Sequence, residues 1–96
     1  MYQLEIKPRA IIISSEAYEW YEAQKPGLGE RFLEVLSSVF EKIRVHPERY
    51  GKVKRSYRQV RLHRFPYVVV YEIMGDSIVV FTVFHTSRNP SSKFRS

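Results

Sequence analysis

Apolar and polar residues change their spacing along the chain, and each change predicts a new element. Residues 2 to 7 alternate, which is the period of a strand with one buried face. After Pro8 the apolar residues recur every three or four positions, which predicts a helix. Its core face would carry Ala10, Ile13, Ala17, Trp20 and Tyr21. The β-branched run at residues 11–13 could extend the strand instead, so the start of the helix stays open.

A second helix is predicted after the segment KPGLG at residues 25–29, whose proline and glycines interrupt the first one. Apolar residues again recur at helical spacing, and the core face would carry Leu28, Phe32, Leu36, Val39 and Ile43. The short connection predicts an antiparallel helical hairpin. Pro47 ends the second helix, because the residue before a proline disfavours helical dihedrals.

Three strands are predicted in the second half, around Val60 and Leu62, at 67–73 and at 78–84, with a tight turn at Gly75 and Asp76. The order β-α-α-β-β-β indicates an α+β domain in which the helical hairpin packs on one face of a small antiparallel meander sheet, and the first strand pairs with one of the others. The last two strands are apolar on both faces. The uncovered face is therefore expected to be a shallow cleft or a docking surface for a partner segment.

The composition is that of one small domain spanning residues 1–96, because 96 residues with 44% hydrophobic side chains can build one core. The chain lacks cysteine, which excludes disulfides and thiolate zinc sites, and its three histidines have no ligand spacing. We therefore expect no metal and no cofactor. The absence of a long apolar run and of a secretion signal predicts a cytoplasmic protein without a membrane partner.

The net charge of +6 is unevenly distributed: residues 1–43 carry seven acidic and five basic side chains, and residues 44–96 carry three and eleven. Six cations fall within thirteen residues that contain no acid: Lys52, Lys54, Arg55, Arg58, Arg61 and Arg64. They would attract nucleic acid or an acidic protein, although a solvated face is the simpler alternative. Strand alternation would place Arg58 and Arg64 opposite Arg55 and Arg61, which argues against one continuous nucleic-acid track.

The segment VFHTSRNP at 83–90 offers groups for RNA cleavage without a metal, which needs a base, a cation for the phosphorane and an acid. The candidates are Lys52, Lys54, Arg61, His85 and Arg88, of which Arg88, His85 and Arg61 are the main catalytic ones. His85 has a structural alternative, since it closes a buried strand and could hydrogen-bond a carbonyl at the edge of the sheet.

Four segments together resemble the RelE/ParE superfamily of type II toxin–antitoxin toxins: WYEAQKPGLGERF (20–32), HPERY (46–50), RFPYVVVYE (64–72) and VFHTSRNP (83–90). The resemblance covers nearly the whole chain and implies the same fold. It also implies one of two activities. RelE-like members cut mRNA on the ribosome, and ParE-like members poison DNA gyrase. Arg88 stands where a RelE-like catalytic arginine is expected, but Val68 and Phe94 stand where that pattern expects an arginine and a tyrosine.

These departures, with the FPY and H-x-x-R-x-P forms, favour the ParE-like branch and a toxin that binds gyrase without cutting RNA. The resemblance also implies an antitoxin, small and often acidic, whose disordered end folds onto the toxin in a hetero-oligomer. The alternatives are a ribosome-dependent mRNA endoribonuclease and an inactive member that only binds antitoxin. The expected binding residues are Lys52, Lys54, Arg55, Arg58, Arg61, Arg64 and Arg88.

Overall fold

Two helices pack on one face of a five-stranded sheet in the computed structural model, which describes residues 2–87. The predicted α+β class is confirmed. The elements are β1 (Gln3–Ile6), α1 (Pro8–Gln24), α2 (Leu28–Val45), a single 3-10 turn (Pro47–Arg49), β2 (Lys52–Lys54), β3 (Tyr57–Arg61), β4 (Tyr67–Met74) and β5 (Ser77–His85). The residues at 11–13 lie within α1, so they do not extend the first strand.

The sheet has the order β1-β5-β4-β3-β2, and it differs from the predicted sheet in two respects. β1 pairs parallel with β5, with Leu4 opposite Ile78, so the sheet is mixed rather than purely antiparallel. The segment Lys52–Lys54 forms an additional edge strand, β2, against β3. Alternation predicts which side chains of a strand are buried, but it does not specify the neighbouring strand.

A β-bulge at Phe81 changes the alternation of β5. Val70 lies opposite Thr82 and Tyr71 lies opposite Val80, so Phe81 is the extra residue on β5. As a result Val80 and Val83, three positions apart, both pack in the core beneath the helices. The strand therefore presents apolar side chains to both faces of the sheet.

The second face of the sheet, away from the helices, is buried within the chain itself. Val68, Val70 and Phe84 form an apolar cluster against which Tyr57 packs. Their exposed fractions are 2%, 0% and 6%, and that of Thr82 is 1%. The prediction of an exposed apolar docking face on this side is therefore wrong.

The helical hairpin contributes the other half of the core. Four of the five predicted α2 residues are buried, Phe32, Leu36, Val39 and Ile43, and Leu28 is half-buried. From α1 the buried residues are the small Ala10 and Ala17, which allow this helix to lie close to β5.

Trp20 was predicted on the core face of α1, but 52% of its surface is exposed. Tyr21 takes the core position instead, where its ring meets those of Phe32, Phe65 and Tyr67. One residue along a helix is a rotation of about 100°, so both aromatic side chains cannot point into the same core. Trp20 packs edge-on against Tyr21 with ring centroids 5.2 Å apart.

The turn between the helices is fixed by a carboxylate and two glycines. Gly27 adopts a left-handed φ of 90°, which a glycine accepts without strain. The Glu22 carboxylate accepts hydrogen bonds from the N–H groups of Gly27 (2.9 Å) and Gly29 (3.0 Å), which caps the first turn of α2. A Cβ at Gly29 would lie 2.7 Å from the Tyr18 carbonyl oxygen, so only glycine allows the two helices to approach this closely.

Replacing Gly29 by alanine should therefore destabilise the protein. We expect Gly29→Ala to lower the free energy of unfolding by about 2 kcal/mol, the cost typical of overpacking against backbone. Gly51→Ala is the matched control, because a Cβ there meets nothing within 4 Å and its φ lies outside the left-handed region. Urea denaturation should show that the control changes stability by less than about 0.5 kcal/mol. Equal losses in the two variants would contradict this account of the turn.

Candidate target-binding surface

Three cations at the β2–β3 turn form an exposed group that we call the basic hairpin: Lys52, Lys54 and Arg55. The two lysines lie on the edge strand, and Arg55 follows in the turn with a left-handed φ of 54°. Lysines on an edge strand also prevent unwanted pairing with other sheets, which is the structural alternative to a binding role. The arrangement nevertheless presents three positive charges from one short segment.

Arg58 has a different environment, although it lies only three residues beyond Arg55. Its Nη1 donates to the carbonyl oxygens of Tyr50 (2.5 Å) and Glu48 (3.3 Å). These bonds hold the segment at 47–50 against β3. We therefore leave Arg58 out of the proposed binding surface, because its guanidinium is engaged inside the protein.

Tyr71 fixes the same segment from β4. Its hydroxyl donates to the Pro47 carbonyl oxygen at 2.5 Å, and the side chain is fully buried. Burial raises the pKa of Tyr71 to about 12, while the charge of the nearby Arg58 acts weakly in the other direction. The tyrosine thus serves as a neutral hydrogen-bond donor of the core.

The predicted alternation of the arginines holds only inside β3. Arg58 shares the face of the buried Val60, and Arg61 lies opposite Val68 on the second face. Arg55 and Arg64 do not belong to any strand. Both lie in turns with positive φ, 54° and 71°, so the strand rule does not apply to them and that part of the prediction is wrong.

The candidate catalytic residues that the structure describes do not converge. His85 lies opposite Tyr67, a core residue beneath the helices, and their rings meet edge to face at 5.0 Å. Its Nδ1 accepts a hydrogen bond from the Ser87 N–H at 3.1 Å. The side chain of Arg61 starts from β3 on the opposite face of the sheet, and β4 lies between this strand and β5, which carries His85. Arg88 and Phe94 lie outside the described residues.

Val68 stands where the RelE-like pattern expects an arginine. Only 2% of its surface is exposed, and it packs against the apolar cluster of the second face. This position therefore contributes to core packing and offers no group for phosphate. Between residues 2 and 87, no three histidine, cysteine, aspartate or glutamate side chains are grouped to hold a metal ion. Nor does this part of the chain contain a helix both long and apolar enough to cross a membrane.

Two of the concave surfaces on the helical hairpin are relevant to partner binding. The first, the hairpin groove, has a volume of about 330 Å³ and lies between α1 and α2. Its apolar lining includes Ile11, Tyr18, Leu33 and Phe40. Tyr18 donates a hydrogen bond to Glu30 at 3.1 Å, and this bond is the main reason why the pKa of Tyr18 is raised.

The second surface, the turn cleft, has a volume of about 640 Å³ and lies between the α1–α2 turn and the loop at residues 62–66. Its cations are Lys25, Arg31 and Arg64. The sequence predicted a binding role only for Arg64. Lys25 and Arg31 were not predicted, because they lie in the acidic half of the chain. Their only sequence signal is that they flank the glycine turn between the helices, and the fold places this turn beside Arg64.

Comparison with known proteins agrees with this fold. A family model described as "ParE toxin of type II toxin-antitoxin system, parDE" matches residues 4–90, so the chain belongs to this family. The class is therefore a ParE-type toxin of a type II toxin–antitoxin system. No curated protein sequence matches the chain.

A solved structure supports the same fold. It is titled "Chromosomal ParDE TA system from P. aeruginosa" and superposes with a TM-score of 0.69 at 16% sequence identity. The match covers 91% of this chain and 98% of the other. At this identity the likeness establishes the fold alone, in which two helices pack on a mixed five-stranded sheet.

Proposed function

We propose that this ParE-type toxin inhibits growth by binding DNA gyrase through the basic hairpin, and that a cognate antitoxin neutralises it. The observation that carries the proposal is the separation of His85 on β5 from Arg61 on β3, with β4 between them. A ribonuclease must hold its base and its cation at one phosphate, and side chains that start two strands apart do not meet there. The buried Val68 adds no phosphate-binding group. Inhibition by binding needs only a surface.

The basic hairpin is the surface that we assign to the target. Its three cations are exposed and lie at the edge of the sheet opposite β1. Such a group is attracted to an acidic surface, such as that of gyrase with its DNA. We place this activity in the cytoplasm, where gyrase and DNA are found. Arg61 and Arg88 remain proposed contributors from the predicted set.

The proposal predicts that the purified toxin at micromolar concentration blocks DNA supercoiling by gyrase. The variant Lys52→Gln/Lys54→Gln/Arg55→Asn should be about tenfold less potent, since each exposed charge contact contributes roughly 0.5 kcal/mol. Asparagine is chosen for Arg55 because it tolerates the left-handed backbone. The readout is the toxin concentration that halves supercoiling.

The matched control is Lys7→Gln/Lys25→Gln/Lys42→Gln, which removes the same charge from positions away from the basic hairpin. We expect its potency to stay within about twofold of the wild type, because distant charges are screened by salt. No inhibition by correctly folded wild-type toxin would end the gyrase proposal. Equal losses of potency in the two variants would show that the basic hairpin is not the surface that binds gyrase.

The antitoxin is proposed to dock in the hairpin groove. The sequence placed this contact on the second sheet face, but that face is already buried. The groove instead leaves apolar side chains at the surface between two helices, with Ile11 53% exposed. An amphipathic helix of an antitoxin that folds on binding would cover such a groove.

Two neighbouring isoleucines test this contact. Ile11 lines the groove and Ile12 does not, yet their exposed fractions, 53% and 57%, are almost equal. We expect Ile11→Asp to weaken antitoxin binding at least about tenfold, because a buried apolar contact becomes an unpaired charge. Ile12→Asp should leave affinity nearly unchanged. Both sites are in the first turns of α1, where an aspartate suits the helix dipole.

Titration calorimetry with the purified antitoxin measures both affinities. The groove assignment fails if the two aspartate variants bind the antitoxin equally well.

A further inference from the structure

The turn cleft brings together three cations from separate parts of the chain. Lys25 lies in the α1–α2 turn, Arg31 lies in the first turns of α2, and Arg64 belongs to the loop before β4. The cavity of about 640 Å³ is within the size range of sites that hold a ligand. Neither the basic hairpin nor the hairpin groove shares a lining residue with it.

Among the described residues 2–87, no acidic side chain lines this cleft. None of its three cations forms an ion pair with any residue between 2 and 87; Arg64 only donates a long hydrogen bond, 3.4 Å, to His63. The neighbouring carboxylate, Glu22, has each oxygen bonded to a glycine N–H of the turn. Like charges that border one cavity repel one another, and a bound anion would relieve that repulsion.

The backbone holds Arg64 in an unusual conformation. Its φ of 71° is left-handed, which costs energy for a residue with a side chain. Two short-range hydrogen bonds fix the loop around it, from Leu62 N–H to the Tyr67 carbonyl (2.9 Å) and from Tyr67 N–H to the Phe65 carbonyl (2.7 Å). Arg64 is therefore presented to the cleft by a defined loop, as a preorganised binding group would be.

The rest of the lining indicates the chemistry of the ligand. Apolar surface comes from Leu28, Phe65 and the two prolines, Pro26 and Pro66. Phe65 is only 8% exposed, so its ring has no free face on which a base could stack. The half-buried ring of Tyr21 already packs against the rings of Trp20, Phe32 and Phe65. A nucleic acid would therefore find charge in the cleft but no stacking platform. A peptide can supply carboxylates for the cations and an apolar side chain for this lining.

We propose that the turn cleft binds an acidic peptide segment of a partner protein, in which carboxylates flank an apolar side chain. The arginine guanidinium groups receive the carboxylates, for which their planar geometry is suited, and Lys25 adds a third charge. The apolar side chain rests on Leu28 and Phe65. This proposal goes beyond the gyrase proposal and is independent of it, since the cleft and the basic hairpin are separate surfaces.

The experiment uses the full chain and the end-blocked peptide Glu-Asp-Leu-Asp-Glu as a probe. At low salt we expect a dissociation constant below about 1 mM and amide shifts by NMR at residues 25–31 and 64–66. The neutral peptide Gln-Asn-Leu-Asn-Gln should not bind. A short oligothymidylate and inorganic pyrophosphate are titrated in parallel and should bind more weakly than the acidic peptide.

Two variants of equal charge separate a site from general attraction. Lys25→Ala/Arg31→Ala/Arg64→Asn should weaken peptide binding at least about tenfold, and Lys52→Gln/Lys54→Gln/Arg55→Asn should change it less than about twofold. Equal losses would show non-specific attraction to a basic protein and overturn the proposal. Tighter, cleft-dependent binding of the oligonucleotide or of pyrophosphate would overturn it in favour of a phosphate site. If the cleft variant does not fold, the amide shifts of the wild-type protein decide: shifts outside the cleft on addition of the acidic peptide would overturn the proposal.

Discussion

The rest of the structure depends on the burial of β4 and β5 from both sides. Side chains such as Tyr71 and Val80 on one face, and Val70 and Phe84 on the other, are almost completely shielded from water. The helical hairpin covers the first face, and the second face is buried within the chain. The bulge at Phe81 contributes to this burial, because it shifts the alternation of β5. Val80 and Val83 therefore both face the helices, while Phe84 faces the second side of the sheet.

A sheet buried on both sides leaves little room for a catalytic centre in its middle. His85 and Arg61 emerge on opposite faces, and Val68 is occupied by packing. The surfaces that remain for partners are peripheral. They include the basic hairpin at the sheet edge, the hairpin groove between the two helices, and the turn cleft where the helices meet the β3–β4 loop. This distribution suits a protein that acts by binding several partners.

Much of the fold was predictable from residue spacing, because the spacing reports the local burial of each element. The second helix illustrates this, since Phe32, Leu36, Val39 and Ile43 are buried as their period indicated. The strand that pairs with β1 was not predictable, because a strand with one buried face has the same alternating sequence pattern whichever strand lies next to it. The bulge at Phe81 leaves no signal in a continuous apolar run.

The candidate site was less predictable than the fold, because it depends on which distant residues the fold brings together. The density of cations between residues 52 and 64 was visible, but their separation into exposed, internal and cleft positions depends on two positive-φ turns. Arg58 shows the difficulty, because its guanidinium binds backbone carbonyls that come from eight to ten residues earlier. Lys25 and Arg31 join Arg64 only through tertiary packing of the helical hairpin on the sheet.

We propose that this toxin acts without cutting RNA. The decisive experiment is primer extension on a reporter mRNA that purified ribosomes translate in the presence of micromolar toxin. The separation of His85 from Arg61 predicts intact mRNA and undiminished protein synthesis. Cuts in phase with codons that require the ribosome and disappear in His85→Ala would show instead that the toxin is a ribosome-dependent ribonuclease.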